Sequence, residues 1–340
     1  MVSLILEINL SFVGREMLAM SEKKKSSCCS MSRDTIHDKQ QHVQNNNNIK
    51  NSGAIKFQEK LVQISGGEFL MGTDDKEGFP ADGEGPVRKV KVDPFYIDRT
   101  TVTNEEFSQF VKETGYKTET ESFGWSFVFH LFVPKHVANS AQRVAQTPWW
   151  LAIKDAYWYQ PEGPGSTIED RMDHPVIHVT WNDAIAFCKW AGKRLPTEAE
   201  WEFAARGGLE QKKFPWGDDL MPNGEHYCNI WQGVFPTKNT KRDGYIGTAP
   251  AQSFPPNGFG LYNVAGNVWE WCSDWFTHKP SLTETTNPKG PKHGQAKVMR
   301  GGSYLCHKSY CNRYRVAART SNTIDSSTGN IGFRCVADVK

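Results

Sequence analysis

The sequence predicts an α+β domain of short, twisted antiparallel strands and few helices, with much of its backbone irregular. Three observations predict it. Twelve tryptophans and 29 glycines in 340 residues suggest a loop-rich fold pinned by bulky rings and turn glycines. Apolar alternation comes in short stretches broken by Gly and Pro, the pattern of twisted antiparallel strands. The helical signals are few, and each is framed by a capping box or a terminal glycine.

In chain order, residues 4 to 13 form a short apolar run interrupted by Glu7 and Asn9. It lacks a basic flank and a small-residue cleavage site, so it makes a poor signal peptide. Residues 14 to 56 are polar and biased, with Lys23-Lys24-Lys25 and an asparagine run at 45 to 48. Such a stretch buries too little apolar area to offset its ordering entropy. Residues 1–56 are therefore expected to be a disordered tail, with Cys28 and Cys29 incidental to it, and the folded domain to span 57–340.

Strands are expected within Leu61–Gly72 and Val87–Ile97. Thr103 with Glu106 caps a helix that presents Phe107, Phe110 and Val111 on one face and stops at Gly115. Residues 117–170 show weak periodicity and many aromatics. There Trp149-Trp150 could rim a peptide site or pack a core. A strand at Val176–Val179 leads to a second helix capped by Thr180, with Cys188 on its inward face and Gly192 at its end. His174 and His178 would share one face of that strand, but no third ligand follows at metal spacing, so packing is the reading. Thr197 with Glu200 caps a third helix ended by Gly207. Its first-turn glutamates suit the helix dipole. The segment 217–275 is mostly loop. Asn229, Asp243, Asn263, Asn267 and Glu270 within it offer hard oxygens that suit Ca²⁺ or simply cap turns. A last strand at Gly329–Asp338 buries Cys335, for which Cys188 is the natural partner.

Composition excludes some classes. The net charge of +2 and dispersed Lys and Arg argue against nucleic-acid binding. No run reaches the roughly 18 apolar residues of a membrane span.

The candidate active site is Arg300-Gly-Gly-Ser-Tyr-Leu-Cys-His-Lys-Ser-Tyr-Cys311. Cys306 and Cys311 are five apart, which diverges by about 140° on a helix and points to opposite faces on a strand, so the sulfurs meet only if the chain turns. A short-loop disulfide, an unrelated buried pair and a reactive or metal-binding dithiol all remain open. Arg300, His307, Lys308, Arg313 and Arg315 surround the pair with positive charge or donors, which favours thiolate. Thiolates alone suit Cu(I) better than a closed zinc site.

Gly66-Gly-Glu-Phe-Leu-Met-Gly72, Arg194-Leu-Pro-Thr-Glu-Ala-Glu-Trp-Glu202, Gly266-Asn-Val-Trp-Glu-Trp271, Arg300-Gly-Gly-Ser303 and Gly332-Phe-Arg-Cys335 resemble the signatures of the formylglycine-generating enzyme, or sulfatase-modifying factor, family. The resemblance covers roughly residues 60 to 338 and implies an atypical C-type-lectin-like fold. It further implies an oxidase that binds unfolded sulfatase segments and converts the cysteine of a Cys-X-Pro-X-Arg motif to Cα-formylglycine with O₂, through a thioaldehyde that hydrolyses. Cys306 and Cys311 would hold Cu(I), with the substrate thiolate as third sulfur. The inactive paralogue lacks this pair.

By the same resemblance, Ser303 and Trp269 line the oxygen and substrate pocket, and Trp149, Ser303 and Tyr310 contact substrate. Two structural calcium sites fall on Asn229, Ile230, Asp243 and Tyr245, and on Asn263, Gly266, Val268 and Glu270. The family's second disulfide falls on Ala205 and Val316, which leaves one implied bridge, Cys188 to Cys335. Cys228 and Cys272 are extra. The acidic grip on the substrate arginine is not evident around Thr101 and Trp125. The implied compartment is the endoplasmic reticulum lumen, with the cytoplasm as the alternative because the amino-terminal signal is poor. Two rival functions are a non-catalytic sulfatase- or peptide-binding member and a dithiol oxidoreductase that uses Cys306 and Cys311 as a redox disulfide.

Overall fold

The computed structural model describes residues 31–33, 49 and 53–339. Its elements in order are β1 (Leu61–Ile64), β2 (Gly67–Met71), β3 (Arg88–Val92), β4 (Phe95–Asp98), α1 (Asn104–Thr114), α2 (Glu119–Phe123), β5 (Trp125–Phe129), α3 (Lys135–Ser140), β6 (Gln142–Val144), β7 (Thr147–Lys154), α4 (Trp181–Ala191) and α5 (Glu198–Arg206). Short strands complete it: β8 (Gly233–Val234), β9 (Lys238–Asn239), β10 (Trp269–Trp275), β11 (Lys297–Arg300), β12 (Arg319–Asn322), β13 (Ile331–Gly332) and β14 (Val336–Asp338). The result is an α+β fold of small sheets and short helices, as the sequence predicts.

Each expected helix forms for the expected reason. Thr103, Thr180 and Thr197 accept from the backbone N–H three residues on, and the acid at that position reaches back. Gly115, Gly192 and Gly207 end the helices in the left-handed region. Each such cap contributes about 1 kcal/mol. A fourth box, Thr118 with Glu121, starts the five-residue α2, a helix too short to show a period.

Three expectations about strands change, the last strand expected over 329–338 being split into β13 and β14 in different sheets with Cys335 between them. Residues 117–170 contain an antiparallel sheet in the order β5-β7-β6. Val128 and the aromatic run around it in β5 are buried on both faces, so no alternation reveals the strand. Conversely, Val176–Val179 is not a ladder strand. His178 lies at φ 58°, which breaks extended pairing and leaves single backbone bonds to Val102 and Thr328.

The sheet that positions the site has the order β12-β11-β10-β13. In it Glu270 stands opposite Arg300, and Trp269 opposite Ile331. Helix α5 packs on this sheet with Glu198 and Glu202 turned inward, one turn apart. Arg300 donates to both carboxylates, at 3.2 Å and 2.5 Å. Arg206 pairs with Glu202 at 2.6 Å, and Arg319 pairs with Glu198 through two bonds. Arg334 grips Glu270 in a fork of two 2.7 Å bonds, and Trp201 donates to the same carboxylate. The dipole reading of the α5 glutamates therefore holds only for Glu200, which is mostly buried and pairs with the partly exposed Arg194.

Burial pushes the Glu202 carboxyl up, but Arg206 and Arg300 outweigh it and hold the group at about 2. A depressed carboxylate contributes stability above its unfolded value near 4.5 and loses that contribution as pH falls toward 2. Glu202→Gln should thus destabilise the chain by about 3–5 kcal/mol near neutrality by leaving buried guanidinium unpaired. In urea unfolding, the gap to the parent should shrink as pH drops from about 4.5 toward 2. Glu200→Gln should cost about 1 kcal/mol or less.

Candidate active site

Strand β11 ends at Arg300, and Gly301 and Gly302 turn the chain sharply at φ 91° and 76°. A Cβ at Gly302 would sit 2.8 Å from the Arg313 carbonyl, so glycine is required where the outgoing and returning chains cross. The loop then closes on itself: Cys306 N–H donates to the Ser303 carbonyl, and the Tyr310 and Cys311 N–H groups donate to that of His307. This turn brings the Cys306 and Cys311 sulfurs to 3.4 Å, and both residues are fully buried.

Polar groups converge on the pair. The Ser303 N–H points at the Cys306 sulfur at 3.4 Å, and a guanidinium N–H of Arg313 lies 3.6 Å from that of Cys311. Arg313 is fixed in turn by Asp82 at 2.6 Å and stacks over Phe79. The Ser303 hydroxyl accepts from Asn330 at 2.9 Å, and Trp269 N–H donates to the Asn330 carbonyl across β10 and β13. Ser303, Trp269 and the cysteines thus share one neighbourhood. Asn330 and Asp82 had no motif to mark them and reach the site from elsewhere in the chain, whereas Arg313 is one of the basic residues the sequence places around the pair.

Beside the turn lies an aromatic surface. Tyr310 stacks on Phe235 with ring centroids 3.9 Å apart, and Trp149 meets Phe235 edge-on at 5.1 Å. The Tyr310 hydroxyl donates to the Leu305 carbonyl, so Tyr310 both closes the dithiol turn and belongs to the aromatic surface. Trp231 donates its backbone N–H to the Cys306 carbonyl and packs with Phe129 and Phe235. Trp149 is half-buried in this wall, whereas Trp150 faces the core.

The oxygen-rich loops come together as two adjoining sets. Asp243 is buried, accepts from the Ile230 and Tyr245 N–H groups, and pairs with no lysine or arginine among the described residues. Burial pushes its carboxyl up. In the second set the Asn263 side-chain oxygen is buried without a partner, while the charge of Glu270 is already met by Arg334. Asn229 and Gly266 link the sets: a Cβ at Gly266 would sit 2.3 Å from the Asn229 carbonyl.

The remaining expected groups separate. Cys188 and Cys335 bring their sulfurs to 3.5 Å. Cys228 and Cys272 sit in different core clusters, and burial raises both thiols. His178 is fully buried, hydrogen-bonded to Ser126, and held down at about 3 by burial. His174 instead meets Thr248, so the two histidines pack and do not converge on one ligand.

These features agree with the comparisons. The sulfatase-modifying factor enzyme 1-like domain matches residues 48–339. The chain is 60% identical to the formylglycine-generating enzyme of Thermomonospora curvata, over 82% of this chain and 93% of that protein. It is 59% identical to that of Bos taurus, over 82% and 75%. The inactive C-alpha-formylglycine-generating enzyme 2 of Bos taurus is 47% identical, over 82% and 87%. Among solved structures, PvdO of Pseudomonas aeruginosa superposes with a TM-score of 0.61 at 26% identity, over 82% of this chain and 94% of that one. The chain belongs to the formylglycine-generating enzyme, or sulfatase-modifying factor, family.

Proposed function

We propose that this chain oxidises the cysteine of a Cys-X-Pro-X-Arg motif in unfolded sulfatases to Cα-formylglycine, using O₂ and Cu(I) held by Cys306 and Cys311. Identity near 60% to proteins named formylglycine-generating enzyme supports formylglycine generation itself. The observation that carries the copper reading is the pair of buried sulfurs 3.4 Å apart. Among the described residues no group of three or more His, Cys, Asp or Glu side chains converges on a metal position. The soft two-sulfur donor set therefore fits Cu(I) and leaves coordination free for a thiolate from outside. Bound copper would supply the activation of O₂ that lets a hydrogen leave the substrate Cβ.

The chain's own residues bind and orient. The Tyr310, Phe235 and Trp149 wall offers stacking surface to an extended peptide. Ser303, fixed by Asn330, and Trp269 line the pocket where the substrate sulfur and oxygen meet. Arg313 places positive charge against Cys311 and so favours anionic sulfur in the pair. Replacing Cys306 or Cys311 by Ser should lower aldehyde formation on a Cys-X-Pro-X-Arg peptide by more than the roughly 10–100-fold typical of an outer-shell change. Anaerobic Cu(I) titration should show about one equivalent bound by the parent and none by either variant. Unchanged turnover would point to a binding member, and turnover without copper to a redox disulfide.

Two structural Ca²⁺ ions fit the loop sets. At one the unpaired buried Asp243 supplies charge; at the other the orphaned Asn263 oxygen supplies a ligand and Glu270 contributes less because Arg334 neutralises it. In saturating calcium, Asp243→Asn should lower the thermal midpoint, with a calcium-linked loss of about 2.7 kcal/mol at a concentration 100 times Kd. In EGTA the variant should match or exceed the parent, because it removes an uncompensated buried charge. Cys188 and Cys335 are assigned as a structural disulfide, which suits an oxidising lumen such as the endoplasmic reticulum.

A further inference from the structure

Within the stretch whose composition predicts disorder, residues 31–33 are seated against the folded domain. Met31 is 2% exposed. It packs with Phe129, Trp150, Trp231, Tyr304 and Leu305, the aromatic surface that ends at Cys306. Its carbonyl accepts from Asn322 at 3.0 Å, and its sulfur accepts from Thr147. Arg33 donates through its backbone N–H to Ser326 at 2.9 Å. Its guanidinium donates to the Asp325 and Trp125 carbonyls at 2.9 Å and 3.1 Å and lies over the Phe123 and Trp125 rings at 4.1 Å and 4.4 Å. A three-residue segment with an arginine enclosed by carbonyls and aromatic faces is built to be held.

The sequence register gives this seating a meaning. Met31 and Arg33 follow Cys29 by two and four positions, in Cys29-Ser-Met-Ser-Arg33. A Cys-X-Pro-X-Arg substrate has the same spacing, with an apolar proline where this chain has methionine. Cys29 itself lies outside the described residues. A peptide whose proline took the place of Met31 would have its cysteine within about 7 Å of chain reach, and Leu305 of the same surface adjoins Cys306.

We propose that Met31–Arg33 is a built-in occupant of the peptide groove: Met31 and Arg33 fill the subsites of the substrate's proline and arginine, so this segment and a Cys-X-Pro-X-Arg peptide compete for one site. This rests on the reading of the groove as the substrate site. It also identifies how a substrate arginine is held where no acidic grip was evident at Trp125. The cation is taken by the Phe123 and Trp125 rings and by main-chain carbonyls, with no carboxylate in direct contact among the described residues.

The test uses the full chain, its Arg33→Ala and Met31→Ser variants, and an unreactive Ser-X-Pro-X-Arg peptide. Deuterium uptake at the residue 33 amide, which donates to the Ser326 hydroxyl in the parent, should rise in both variants as the segment leaves its seat. The peptide Kd should fall by the factor by which the segment blocks the groove, about tenfold if it is seated nine-tenths of the time. With the cysteine peptide, KM should fall in parallel while kcat stays constant. Equal peptide Kd in parent and variants would overturn the proposal and leave the groove reading intact. Failure of parent and variants alike to bind the peptide would overturn the groove reading, and the proposal with it.

Discussion

Everything in the site hangs from the burial of Arg300 between Glu198 and Glu202. Enclosing such charges is costly, and they persist in a core only when each has its partner. Here they do: Arg206 and Arg319 close the network on the α5 side, and Arg334 meets Glu270 one strand away from Arg300. Four signature motifs that lie up to 141 residues apart are therefore parts of one object. Arg194–Glu202 supplies the carboxylates, Gly266–Trp271 and Gly332–Cys335 supply the second pair, and Arg300–Ser303 leads from the first pair directly into the dithiol turn. The position of Cys306 is fixed by electrostatics several residues upstream of it.

That dependence explains what could be read in the chain. Capping boxes act within four residues, so Thr103, Thr180 and Thr197 announced their helices. For Cys306 and Cys311 the five-residue offset made a turn the condition for their sulfurs to meet, and the structure supplies that turn. The ion pairs were not legible. Glu198 and Arg319 are joined across 121 positions, and a glutamate in a first helical turn looks the same whether it serves the dipole or a buried guanidinium. β5 escaped because burial on both faces erases alternation. Met31 and Arg33 escaped for the converse reason: a polar stretch cannot make a core of its own, but it can borrow one from a groove.

The oxygen-rich loops show two readings of one residue coexisting. Asp243 caps a turn by accepting from the Tyr245 N–H two positions on. Turn-capping satisfies the carboxylate's geometry but not its charge, and burial makes the remaining charge expensive. Sequence composition could not separate the two uses, since a capping aspartate and a calcium aspartate occupy the same kind of loop. Among the described residues no Lys or Arg pairs with Asp243, which leaves room for the proposed ion.

Two thiol pairs lie in this molecule at nearly the same separation, 3.4 Å and 3.5 Å, so distance cannot tell a reactive pair from a structural one. Their surroundings differ. Cys335 sits where burial, and then Cys188, push its thiol well above the ordinary range. That enclosure between α4 and the last strands suits the structural disulfide proposed for the pair. Cys306 and Cys311 are just as buried, yet a backbone N–H and the Arg313 guanidinium face their sulfurs. Those donors stand beside the aromatic surface formed by Tyr310, Phe235 and Trp149. A loop anchored by Asp82 holds that guanidinium in place, so the chemistry of the pair is set by a residue more than 200 positions away in the chain.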